Sequence, residues 1–189
     1  MDIYRAENKK AFDAFISSDA NTNGHRRRIL SSLPIHTISD ELLLKILKRN
    51  NVNDENIKVI LDSVERQRQI IQKILDNNIL EDEIVQLSED EFENYPPILS
   101  LSDSFYANNI YYNYEEYLEH LTDTKEYMNN HNNYKFLDNK INTFRNINIT
   151  IHSSKWVMIS KNTHPAIHFV IHHPKLRDAI ENFTVPVVE

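Results

Sequence analysis

Three short β-prone runs lie close together near the C-terminus, at residues 145–152, 155–161 and 166–172, separated only by Ser153-Ser154 and by Asn162-Thr163-His164-Pro165. Runs this rich in Ile, Val, Trp and Phe, joined by connections this short, pair as an antiparallel meander. Closing both hairpins predicts Ile151 opposite Trp156, Ile149 opposite Met158 and Ile147 opposite Ser160. On the other side, Ser160, Met158 and Trp156 then meet Ile167, Phe169 and Ile171. Because side chains alternate along a strand, one face becomes almost wholly apolar. The other carries Asn148, Thr150, Val157, Ile159, Lys161, His168, Val170 and His172, polar at its margins and apolar at its centre. A functional surface is expected on that second face.

Helical periodicity surrounds the meander. Ser39 supplies an N-cap before Asp40-Glu41, Ile38 can staple the entry, and Leu42, Leu43, Ile46 and Leu47 form an apolar stripe, which predicts a helix over 40–49. A longer helix follows over 54–75, with Ile57, Leu61, Val64, Arg68, Ile71 and Leu75 at alternating spacings of four and three. This seam, interrupted by Arg68, suits either an intramolecular helix pair or a dimer. The pair superficially resembles a DNA-reading helix-turn-helix, but Asp54 and Glu55 would open its second helix against the phosphate backbone. Helices are also expected over 3–17, over 114–128 and from Pro174 onward, the last with Leu176, Ala179, Ile180 and Phe183. Residues 134–137 add a strand.

Residues 76–109 read as the least regular part, broken by Tyr95-Pro96-Pro97. They divide the expectation into a helical part over 1–95 and an α+β part over 96–189. The predicted class is α+β, an N-terminal helical part followed by an antiparallel meander flanked by amphipathic helices.

Composition narrows the function. The 189 residues include no cysteine, which removes thiol nucleophiles and thiolate metal sites and fits a reducing, cytoplasmic setting. The single glycine, Gly24, is too few for a phosphate loop or a dinucleotide-binding turn. No apolar run approaches the ~20 residues needed to span a bilayer, so no membrane role is expected. The net charge of −7 is uneven, with no Lys or Arg between Lys73 and Lys125. An acidic middle repels phosphate, and DNA binding by this chain alone is expected to be weak.

Nine histidines raise a metal question, but the expected pairing keeps His152, His168 and His172 from converging and places Lys155 among them; no metal site and no cofactor are predicted. No paired carboxylates, HExxH or nucleophile elbow appears, and Ser102, Ser104 and Ser160 have no identifiable base, so no catalytic residue is predicted. Arg26, Arg27 and Arg28 read either as a solvated patch pairing with the chain's own acids or as a phosphate or nucleic-acid contact. On the second face of the meander, Asn148, Ile159, Lys161, His168 and Val170, with Arg145 at the rim, suit a small anionic ligand or a partner's surface. The same face could instead pack on the N-terminal helices.

The segments ILSSLPIHTISDELLLKILKRN and FRNINITIHSSKWVMISKNTHPAIHFVIHHPKLRDAIENF, with the closing VPVVE, resemble the C-terminal regulatory region of Xre/Cro-type helix-turn-helix transcriptional regulators of low-GC Gram-positive bacteria. The most specific stretch is KWVMISKN followed by PAIHFVIHHPKLRDAIENF. The resemblance implies a non-catalytic module that senses a ligand or mediates homodimerisation, with DNA reached only through a domain absent from this chain. The rival expectation is a standalone acidic interaction or inhibitor protein of phage or mobile-element origin, acting through residues 81–93.

Overall fold

The basic segment around Arg26 and the acidic segment around Asp82 become neighbouring strands inside a sheet. The computed structural model describes residues 2–5, 9–20, 22–94, 96–99, 101, 109–139, 147–152, 155–161 and 167–184. Among them, seven strands form one sheet: β1 (Asp2–Arg5), β2 (Gly24–Leu30), β3 (Asn78–Val85), β4 (Tyr134–Asn139), β5 (Ile147–His152), β6 (Trp156–Lys161) and β7 (Ile167–Ile171). Their spatial order is β1-β7-β6-β5-β2-β3-β4. The pairs are antiparallel from β1 through to β2, whereas β2–β3 and β3–β4 are parallel. The helices are α1 (Lys9–Ala20), α2 (Asp40–Arg49), α3 (Asp54–Asn77), α4 (Glu89–Asn94), α5 (Tyr114–Asn129) and α6 (Pro174–Thr184). A parallel pair needs a crossover, and α2 with α3, then α4 with α5, provide the two.

Local chemistry sets the helix ends. Ser39 Oγ accepts from Leu42 N at 3.4 Å, Asn53 Oδ1 accepts from Asn56 N at 2.8 Å, and Asn113 with Glu116 forms a reciprocal capping box. Between α2 and α3 the chain turns through Asn51 at φ 56°, a left-handed conformation that asparagine tolerates. Leu42, Leu43, Ile46 and Leu47 are all fully buried. Each contributes roughly 1.5–3 kcal/mol before entropy is counted. Gly24 opens β2 where a Cβ would come within 2.8 Å of His152 Cε1, so this position admits no side chain without a shift.

The sheet separates two layers. On one side α2, α3, α4 and α5 bury a large core with Leu30, Leu80, Ile84 and Tyr134, and α1 adds Phe15 and Ile16 over Trp156, Met158 and Val170. On the other side Ile180 of α6 packs on Ile29, Ile149, Ile151 and Val157. Among the described residues no helix is long and apolar enough to cross a membrane.

The α+β class is as expected, and four local readings are corrected. The helix predicted over 3–17 is a strand, β1, followed by α1. The irregular stretch 76–109 contains β3, an interior strand. The part expected to be helical, 1–95, supplies three of the seven strands, and pairing of β2 with β5 carries one sheet across residue 95. Both hairpins of the meander close one residue away from the expected register. His152 pairs with Trp156, Thr150 with Met158 and Asn148 with Ser160; Met158 then pairs with Val170 and Ser160 with His168. A one-residue slip turns a strand over. Relative to β5 and β7, therefore, β6 presents Trp156, Met158 and Ser160 where Val157, Ile159 and Lys161 were expected.

Candidate functional site

Turning β6 over builds a cavity. Side chains of the sheet on the α1–α3 side run in rows along the strand direction: Arg26 with Trp156, Arg28 with Thr150 and Met158, then Leu30 with Asn148, Ser160 and His168. Facing them are Ile16 of α1, Gln67, Ile70, Ile71 and Ile74 of α3, and the Ser32–His36 stretch that follows β2. The space between is about 190 Å³. Arg26, Arg28 and Lys161 are among its lining residues, and among the described residues no Asp or Glu is.

One wall is braced by a buried polar network. Arg28 donates through Nε to Asp82 Oδ1 at 2.6 Å and through Nη2 to Asp82 Oδ2 at 2.5 Å, and Nη2 also reaches Tyr134 Oη at 2.9 Å. Tyr134 donates to the same carboxylate, and its ring stacks on His36 at a 17° interplanar angle. Asp82 is completely buried. Burial alone would lower the pKa of Arg28, but Asp82 and Tyr134 outweigh it and raise the guanidinium above its ordinary value. Burial, with Asp82 beside it, pushes the Tyr134 phenol well up. Burial and then the positive charge of Arg28 hold His36 well below the usual imidazole range. The Arg28 charge is thus fixed and matched inside the fold.

At the other end of the cavity, where Lys161 is the charged lining residue, the hydrogen-bonded groups are neutral. Ser31 donates from its backbone N to Asn148 Oδ1 at 3.0 Å, and Ser160 Oγ lies 2.9 Å from His168 Nδ1. Burial lowers the His168 pKa to about 4. Ser32 Oγ, in the cavity wall, is buried with no hydrogen-bond partner among the described residues. Between the sheet rows sits Arg26, 2% exposed, with its guanidinium 5.7 Å from the centroid of the Trp156 ring.

Buried neutral histidines link stability to pH. His120, outside the cavity, accepts or donates at Tyr112 Oη (2.7 Å) and Thr37 Oγ1 (3.1 Å), and burial lowers its pKa to about 3. Between pH 6.5 and pH 3 the unfolded chain therefore protonates this imidazole while the native state does not. Stability contributed by the neutral ring is complete above the unfolded value and is lost as pH falls. At pH 5 the loss attributable to His120 is about 2 kcal/mol. Denaturant titrations between pH 7 and pH 5 should show this slope, and a His120→Gln variant should take up about one proton fewer on unfolding at pH 5. An identical slope in the variant would assign the effect elsewhere.

The structure sorts the sequence-predicted residues into four groups. Asn148, Lys161, His168, Arg26 and Arg28 line the cavity. Val170 shares the cavity face but packs under α1 with Trp156 and Met158. Ile159 and Arg27 lie on the opposite face, Ile159 in the Ile ladder under α6 and Arg27 ion-paired with Glu83 at 2.6 Å. Arg145 falls outside the described residues. Arg26, Arg27 and Arg28 do not form a solvated patch, because alternation in an interior strand sends them to two faces, but Arg27 and Arg28 do pair with the chain's own acids, as one reading expected. Sequence reasoning missed Trp156, Ser32 and His36 as cavity residues, and Trp156 follows at once from the observed register; Thr150 lies on the face where a functional surface was expected. Among the described residues no group of three His, Asp or Glu side chains is placed to hold a metal ion.

Comparison with known proteins found no matching family model, no matching curated protein and no matching solved structure.

Proposed function

We propose that this protein is a non-catalytic regulatory module that senses a small organic anion held between its sheet and its helices. One observation carries the reading: a chain of net charge −7 lines its cavity with Arg26, Arg28 and Lys161 and, among the described residues, with no carboxylate. Apolar walls with a few placed polar groups are the usual make-up of a small-molecule site. The resemblance to Xre/Cro-type regulators supplies the biological setting, in which a DNA-binding domain outside this chain would be the output. Acidic mimicry through residues 81–93 draws less support. Glu81 pairs with His25 and Lys135, Asp82 with Arg28 and Glu83 with Arg27, so these strand acids answer the protein's own cations.

Trp156 is the only tryptophan in the chain and lines the cavity, so its emission reports occupancy. Titration with small organic anions should change that emission, matching organic cations should not, and Arg26→Met should weaken the anion response by at least about tenfold, the effect of losing one charge-assisted contact. A chain whose emission responds equally to anions and cations is not an anion sensor.

A further inference from the structure

If the cavity holds an organic anion, as proposed above and as this inference requires, its two walls restrict the body of that anion. On the sheet side, register puts Thr150 in one row and Asn148, Ser160 and His168 in the next, all lining the space. Thr150, Ser160 and His168 are each buried. Ser160 Oγ lies 2.9 Å from His168 Nδ1, and Asn148 Oδ1 accepts from Ser31 N at 3.0 Å. A hydroxyl carries one donor and two acceptor lone pairs, so a single bond leaves Ser160 with capacity to spare. On the facing stretch, Ser32 Oγ is buried with no hydrogen-bond partner among the described residues. A wholly apolar occupant would leave such hydroxyls unmatched, at a cost of about tenfold in affinity for each.

The helix wall differs. There α3 contributes Ile71 and Ile74, both buried, with Gln67 one turn before Ile71. A molecule that satisfies both walls has hydroxyls along one edge and C–H groups along the other. Size sets its length. The volume of 190 Å³ is somewhat more than the ~150 Å³ of a cavity that takes up benzene, which makes room for about seven to nine non-hydrogen atoms. Thr150 and Asn148, two residues apart on β5, are separated by about 7 Å, a distance such a molecule spans. We infer that the ligand is a short hydroxy acid, a carboxylate whose chain of about three to four carbons carries hydroxyls, lying with its hydroxyl edge on the Thr150 and Ser160 rows and its C–H edge on α3.

The test titrates the intact chain, by calorimetry and by Trp156 emission, with glycerate and threonate, with their deoxy counterparts propionate and butyrate, and with the neutral polyols glycerol and erythritol. Threonate should bind at least about tenfold more tightly than either butyrate or erythritol. Thr150→Val, which removes a hydroxyl and keeps the shape, should weaken threonate about fivefold and leave butyrate unchanged. Butyrate binding as tightly as threonate would overturn the hydroxylated class while leaving anion sensing intact. Erythritol binding as tightly as threonate would overturn the acid, and with it the anion reading on which the inference rests. Equal losses for threonate and butyrate in Thr150→Val would overturn the placement of the hydroxyl edge. Silence toward all six compounds would overturn the hydroxy acid, and the anion reading survives that result only where other organic anions still change Trp156 emission. The comparison of acids and polyols on the unaltered protein decides the matter even where Thr150→Val fails to fold.

Discussion

Asp82→Ala should lower the stability of this protein by ~3–5 kcal/mol, one of the two largest single-residue effects expected in the sheet. The carboxylate is fully buried between two donors, Arg28 and Tyr134, with Arg28 engaged through both Nε and Nη2. Deleting it leaves a guanidinium inside the fold without its counter-charge, and the desolvation already incurred is no longer offset. Removing both charges is a different experiment. Arg28→Met combined with Asp82→Leu should recover most of the loss, since apolar groups of similar size can replace a buried ion pair at little net cost. Urea denaturation of the two variants measures both terms. A loss below ~1 kcal/mol for Asp82→Ala would show that water or a rearranged side chain compensates Arg28, and the network would then not brace the cavity wall.

Trp156→Ala should cost ~3–5 kcal/mol, through lost burial and the void left behind. Trp156 is 2% exposed, packs at 5.4 Å from the Phe15 ring and 5.6 Å from His152, and carries Arg26 over its face. The indole therefore joins α1 to the sheet and shapes the Arg26 end of the cavity. Its removal should loosen α1 first, so amide exchange in residues 14–20 should accelerate more than in α2, whose buried residues do not touch this cluster. Uniform acceleration across both helices would mean that α1 is not held principally by Trp156.

Elements whose instructions are local were legible before any tertiary structure. The expectation of 40–49 matches α2 because Ser39, the acids after it and the Leu/Ile stripe all act within one helix. The same holds for α5, for α6 behind Pro174, and for the existence of the meander. Arg68, which looked like a flaw in a helical seam, turns out to donate to the carbonyls of His36 and Ile38 and to pair with Asp40. That role depends on residues some thirty positions away and could not be read from spacing.

Three things were decided only by the tertiary structure. Strands β2 and β3 carry Arg26, Arg27 and Arg28 and Glu81, Asp82 and Glu83, a pattern that reads as solvated charge when each segment stands alone. Pairing them lets each supply the other's counter-ions, so charges that argue against an interior strand become tolerable there. The register of β6 was undetermined for a related reason. Trp156, Val157, Met158 and Ile159 are all apolar, so alternation gives no reason to bury one pair of side chains rather than the other, and loop closure alone sets the choice. With Lys155 in the turn, its N bonded to His152 O at 3.0 Å, the strand is turned over. That single step moves Trp156, Met158 and Ser160 to the cavity and Ile159 to the far side. Residue types and helical faces are properties of neighbouring positions, whereas the cavity is a property of which side each strand presents, and only the assembled sheet determines that.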